Sequence, residues 1–226
     1  MIGVVIPAHD EEEFIGACLQ SLLVATRCPL LSAEPVLIVV VLDACTDGTG
    51  SIARELGAST VAVQARTVGI ARALGAAHAL KAGARWLAFT DADSTVARDW
   101  LSTQLALGSD AVCGTVAVQD WGDYGEPMRR HYEATYTDAD GHRHIHGANL
   151  GVSAQAYRNA GGFGPLASSE DVELVEALRQ TGASIAWSAA PRVTTSARRA
   201  YRAPDGFGAT LARVAATPLS DFGTSE

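Results

Sequence analysis

Residues 86–94 read Trp-Leu-Ala-Phe-Thr-Asp-Ala-Asp-Ser, WLAFTDADS. A short apolar run of this kind is a buried strand, and it delivers the chain into Asp91 and Asp93 with only Ala92 between them. Acids at the end of a buried strand must meet water, a cation or each other's repulsion. At i and i+2 of an extended chain they project to the same side, with α-carbons roughly 6–7 Å apart. Such a pair suits a hard divalent cation shared with phosphates, since Mg2+ takes one or two carboxylates and completes its shell from substrate oxygens and water. The same stretch, DADSTVARDW, also supplies capping residues for a helix, so the pair alone decides nothing.

The flanking sequence supplies the frame. IGVVIP, PVLIVVVLD and STVAVQ are further β-branched runs, each followed by a segment with apolar residues at helical spacing. EEEFIGACLQSLLVAT is the first such helix. TDGTGSIARELGA, with cap-type Thr46 and Asp47 and a stop at Gly57, is the second, and VGIARALGAAHALKAGA is the third. Strands alternating with helices predict an α/β fold with a doubly wound, mostly parallel sheet, whose ligands lie at the carboxyl ends of the strands. Asp10, Asp43, Asp91 and Asp93 all fall just after predicted strands.

The second half is less regular. ARDWLSTQLALG reads as a helix and DAVCGTVAVQDW as a strand. Residues 119–145 read as a polar, aromatic-dotted insertion, SSEDVELVEALRQTGA as a helix with acids at its start, and SIAWS and RVTTS as two short strands. No internal repeat or linker divides the 226 residues. The expectation is one domain over 1–226, with a nucleotide-sugar half over 1–118, an acceptor-side half over 119–210 and a tail over 211–226.

Composition narrows the classes. The net charge of −8 argues against a nucleic-acid partner. No apolar stretch approaches the ~20 residues of a membrane span, and MIGVVIPAHDEEE lacks the basic start of a signal peptide. Cys18, Cys28, Cys45 and Cys113 form no CxxC pair, which fits reduced thiols and a cytoplasmic location.

Six segments in order resemble family 2 glycosyltransferases: VVIPAHDEEE, VLDACTDGT, VGIARALGAA, FTDADS, HGANLGVSAQAYRNAGGF and SEDVELVEAL. The resemblance spans residues 2–180 and implies a GT-A fold, with a smaller mixed acceptor-side region. It also implies transfer of a sugar from a nucleoside diphosphate sugar to a hydroxyl acceptor, with Mn2+ or Mg2+ as cofactor.

On that resemblance Pro7, Ala8, Asp10, Glu11 and Asp43 line the base and ribose pocket, and Arg72 reaches the phosphate end or braces Asp91. Asp91, Ala92 and Asp93 form the Asp-x-Asp loop, with Asp93 holding the cation and Asp91 facing the ribose or a metal-bound water. Glu170 and Asp171 open a helix whose dipole favours carboxylates. In the family the Asp of this pair is the general base of an inverting displacement. His144 and His146 are candidates to complete the metal shell, and Gly147 and Asn149 to meet donor or acceptor groups. Arg198, Arg199 and Arg202 are candidates for a basic loop over the diphosphate.

The sequence departs from the family at Leu42, where a second acid is common, and at His9-Asp10, which replaces an aromatic-Asn pair and leaves the base open. It has no Gln-x-x-Arg-Trp segment, which argues against a processive synthase. A sugar-phosphate nucleotidyltransferase would carry a Gly-rich basic loop after the first strand, and PAHDEEE is neither. The remaining alternative is a nucleotide-sugar-binding protein without turnover.

Overall fold

The computed structural model describes residues 1–121 and 124–196. The first half is built as its periodicity predicts. Strand β1 (Ile2–Ala8) is followed by helix α1 (Ile15–Ala25), β2 (Val36–Asp43) by α2 (Thr49–Glu55), β3 (Ser59–Val63) by α3 (Val68–Lys81), and then comes β4 (Trp86–Phe89). These four strands pair in parallel in the order β3-β2-β1-β4. Their carboxyl ends therefore share one edge, which carries Ala8, Asp43 and, just beyond β4, Asp91.

The remainder completes an eight-stranded sheet. β5 (Thr95–Val96), α4 (Trp100–Ala106), β6 (Ala111–Val118), α5 (Gly125–Thr135), β7 (Leu150–Ser153), α6 (Ala154–Asn159), α7 (Glu170–Gln180) and β8 (Ile185–Thr195) follow in order. The sheet continues from β4 as β7-β6-β8-β5. β7 runs antiparallel to β4 and β6, β5 runs antiparallel to β8, and β6 pairs with β8 in parallel.

Two apolar layers flank the sheet because alternate side chains leave opposite faces. One gathers Ile2, Val4 and Ile6 with Ile15, Leu19 and Leu22 of α1 and Trp100 of α4. The other gathers Val5, Val39 and Val41 with Ala71 and Ala76 of α3 and Leu174 and Leu178 of α7.

The structure differs from expectation in three places. SIAWS and RVTTS are one strand, β8, whose register against β6 shifts where Gly114 faces Ser188 and Val116 faces Val193. The extra residues include Pro191, which has no N–H to give a ladder, and the bulge absorbs it. The 119–145 stretch contains α5, a mostly polar helix that packs Met128 and Tyr132 against Trp121 and Tyr124. The first turn of ARDW is not helical: Thr95 and Val96 pair with β8 and α4 begins at Trp100.

Candidate active site

At the carboxyl edge, two loops are laced together by acids. Asp10, in the left-handed region at φ 50°, accepts the Thr46 N–H at 2.6 Å and the Asp47 N–H at 3.3 Å. The Thr46 bond, against some desolvation, holds its carboxyl below the usual range. Glu12 accepts from the Gly48 N–H at 2.7 Å and donates its own N–H to Asp47, while the Glu11 N–H reaches Thr49 Oγ1 at 2.7 Å. Asp47 also accepts from Thr49, so the predicted cap sits one turn residue ahead of α2.

Asp43 is buried and accepts three N–H groups, from Ala65, Arg66 and Thr67, at 2.8, 2.8 and 2.9 Å. Its carboxylate ties the end of β2 to the loop that leads into α3. Pro7 and Ala8 close β1 beside it. A pocket of about 190 Å³ opens past the ends of β2 and β3, with Leu42 and Ala62 below and Asp47, Ser51, Arg54 and Gln64 around it. Asp10, Cys45 and Asp47 can bring ligand atoms within 4.8 Å of one another; no three of Asp91, Asp93, His144 and His146 do so.

Arg72 lies in the second turn of α3 and is only 4% exposed. Its Nη2 donates to Asp91 Oδ1 at 2.5 Å, and its Nη1 donates to Glu170 Oε1. Its guanidinium lies 5.9 Å from the centre of the Phe163 ring. Burial works against the charge, but Asp91, Glu170 and Asp171 hold its pKa above the ordinary value. Glu170 is buried too, which pushes its carboxyl upward against the pull of Arg72. Arg72 thus lies between two carboxylates, Asp91 on one side and Glu170 on the other.

The Asp-x-Asp loop is fixed from several sides. Cys18 donates from Sγ to the Asp91 carbonyl at 3.4 Å, and burial first, then the two aspartates, push its thiol up so that it stays protonated. Ala92 is buried, Asp93 is half-buried beside Ser94, and Ser94 Oγ donates to Thr195 Oγ1 at 2.9 Å. The Asp91 side chain keeps 37% of its surface exposed.

On the facing side, Ser169 turns the chain at φ 59° and α7 begins with Glu170 and Asp171. The half-buried Asp171 accepts the Gly147 N–H at 2.7 Å through one oxygen and the Val172 N–H at 2.9 Å through the other. Glu170, the first residue of α7, is buried and paired with Arg72. Gly147 likewise touches the guanidinium and Asp171.

Asn149 lies inside the fold. It is 0% exposed, accepts from Trp100 Nε1 at 2.9 Å and donates to the carbonyls of Thr115 and Pro191 at 2.7 and 2.8 Å. Its amide ties α4, β6 and β8. His144 and His146 belong to an aromatic stack, with Tyr136 4.1 Å from the His144 ring and its hydroxyl 3.0 Å from His146 Nε2. Arg198, Arg199 and Arg202 lie outside the described residues. Sequence reasoning missed Phe163 as the ring against Arg72, although its Gly-Gly-Phe segment was visible.

The family profile described as "Glycosyl transferase family 2" matches residues 3–161. No curated protein matches the sequence. Among solved structures, S. aureus TarS 1-349 in complex with UDP has a TM-score of 0.65 at 17% identity, covering 86% of this chain and 60% of that one. The mannosyltransferase PcManGT from Pyrobaculum calidifontis, in complex with GDP-Man and Mn2+, has a TM-score of 0.63 at 20% identity, covering 88% and 57%. Glucosyl-3-phosphoglycerate synthase from Mycobacterium tuberculosis, with phosphoglyceric acid, has 0.58 at 17%, covering 87% and 70%. At these identities the likeness is one of fold, and the fold is GT-A. The chain spans 60% of the length of the TarS structure. Among the described residues, no helix is long and apolar enough to cross a membrane.

Proposed function

The chain belongs to glycosyl transferase family 2, and on that footing we propose that it moves a sugar from a nucleoside diphosphate sugar to a hydroxyl acceptor, with Mn2+ or Mg2+ as cofactor. The observation that carries this reading is the meeting of Asp91 and Glu170, from opposite sides of the site, on the one Arg72 guanidinium. Asp171 follows Glu170 in the first turn of α7, so this pairing supports a base that faces the Asp-x-Asp loop.

The edge of the sheet suits an extended nucleotide. The pocket beyond β2 and β3 lies about two strand spacings, roughly 10 Å, from the end of β4. That matches a base over Leu42, Arg54 and Gln64 and a diphosphate beside Asp91 and Asp93. Asp43 then shapes the base end by holding residues 65–67, and Pro7, Ala8, Asp10 and Glu11 form the wall between.

The donor set fits a hard cation that takes few protein ligands: two carboxylates at i and i+2, one of them braced through a single oxygen, with no third His, Cys, Asp or Glu ligand clustered with them among the described residues. Asp93 and the outer oxygen of Asp91 would hold it. When bound, the cation would neutralise charge developing on the departing diphosphate. Asp171 takes the proton of the acceptor hydroxyl as that oxygen bonds to the anomeric carbon and the bond from that carbon to the diphosphate oxygen breaks. Its two backbone hydrogen bonds leave lone pairs for that proton. Displacement from the opposite face inverts the anomeric centre. The four cysteines are free thiols, which supports a cytoplasmic site of action. A single domain over 1–226 completes the reading.

A thermal-shift screen of nucleoside diphosphates, with and without Mn2+, tests it. A nucleotide at 100 times its dissociation constant adds about 2.7 kcal/mol of stability. A metal-dependent shift with one nucleotide, lost in Asp93→Ala, is expected. A folded protein that shifts with none overturns the reading.

A further inference from the structure

Arg72 stands at the seam between the donor side and the acceptor side, and every group around it belongs to one or the other. Asp91 Oδ1 takes Nη2 from the donor side at 2.5 Å. Glu170 Oε1, at the first residue of α7, takes Nη1 from the acceptor side. The Gly147 backbone lies flat on the guanidinium: a β-carbon there would stand 2.1–2.3 Å from Nη1, Cζ and Nη2. Gly147 in turn donates its N–H to Asp171 at 2.7 Å. An unbroken series of contacts thus runs from Asp91 through Arg72 to Asp171, by way of Gly147 on one path and Glu170 on the other.

We propose, resting on the transferase reading above, that Arg72 and Glu170 are positioning residues which fix Asp91 and Asp171 relative to one another. A guanidinium presents its donors in a rigid plane, so two carboxylates held on its two ends are fixed in mutual direction as well as distance. One oxygen of Asp91 is drawn inward, which turns the rest of that carboxylate toward the open edge. Glu170 and Asp171 are consecutive in the first turn of α7, so anchoring Glu170 sets the rotation of the helix start and the direction of Asp171. Phe163 backs the guanidinium and Gly147 covers it, so Arg72 cannot swing to follow either partner alone. Neither Arg72 nor Glu170 touches the reacting atoms; both act through their neighbours.

The experiment separates binding from turnover. Glu170→Gln keeps the shape of the side chain and removes the charge that holds Nη1. Calorimetry with UDP and GDP in Mn2+ reads the donor side, and release of free nucleoside diphosphate from UDP- and GDP-sugars reads kcat and donor KM. Glu170→Gln is expected to leave the dissociation constant close to wild type while lowering kcat up to about 10²-fold, the loss expected from small misplacement of a reacting group. Arg72→Lys, whose single ammonium cannot hold both carboxylates in one plane, is expected to weaken nucleotide binding and lower kcat together. Glu170→Gln with wild-type kcat overturns the positioning role. So does a Glu170→Gln protein whose loss lies wholly in nucleotide binding. Should Arg72→Lys not fold, Glu170→Gln decides alone. Wild type that neither binds a nucleotide nor releases one overturns the transferase reading, and the positioning role falls with it.

Discussion

Gly147 is pressed against Arg72 with no room for a side chain, since a β-carbon would come 2.1 Å from Nη1. The obstacle is a guanidinium pinned by two carboxylates, which cannot step aside as a free side-chain end would. Gly147→Ala must therefore displace either the guanidinium or the backbone that carries the N–H to Asp171. Overpacking of this kind costs about 1–3 kcal/mol. Urea unfolding should show that loss, and donor turnover should fall further than the loss of folded protein explains.

Removing the proposed base has a different signature. Asp171→Asn keeps the shape at the start of α7 but cannot take a proton, and general-base assistance is worth about 10²–10⁴ in rate. Turnover should drop by that factor while Mn2+-dependent nucleotide binding persists. Wild-type turnover in this variant would remove Asp171 from the chemistry.

Asn149 predicts stability without specificity. Asn149→Leu leaves the Trp100 indole N–H and the carbonyls of Thr115 and Pro191 without their partner in a fully buried site. Each orphaned buried group costs about 1–3 kcal/mol. The melting temperature should fall markedly, while the dissociation constant for nucleotide in the remaining folded protein should not change.

His146 predicts a response to acid. Burial, with help from His144 and His142, pushes its pKa down to about 3 from an ordinary value of 6.5. Between those values the unfolded chain binds the proton and the folded chain refuses it, so stability falls as pH drops from 6.5 toward 3 and is unaffected above that window. His146→Gln keeps a polar partner for Tyr136 without a titrating ring and should flatten part of the decline. Melting temperatures at pH 7.5 and 5.0 for both proteins would read it, and equal slopes would remove His146 as the source.

What the sequence disclosed, and what it did not, follows from how local each signal is. β1 through β4 were legible because each strand is a continuous apolar run and each crossover helix has its own periodicity. The pairing of Asp91 and Asp93 was legible for the same reason, since both follow within four residues of the end of β4. Arg72 was visible as a charge on α3, but its second partner is 98 positions away and no local pattern announces it. Asn149 and Gly147 looked like ligand contacts because small and amide residues near a turn serve packing and binding equally well. The burial of Asn149 and the contact of Gly147 with Arg72 are long-range facts that no local pattern carries. α5 escaped notice because its apolar stripe is one narrow row, Tyr124, Met128 and Tyr132 at i, i+4 and i+8, in an otherwise polar sequence.

The pairing of β5 with β8 also sets an order of assembly. Thr95 and Val96 find their strand partners at Thr194 and Val193, and Ser94 finds Thr195, 101 positions later in the chain. A chain leaving the ribosome can complete β1 through β4 from its own neighbours, whereas the loop of Asp91 and Asp93 must wait for β8. At roughly 5–20 residues per second the wait is on the order of 5–20 s. During that interval the nascent protein holds the parallel half of its sheet while its acidic loop is still unclasped, and the loop takes its final form only once Thr195 has emerged.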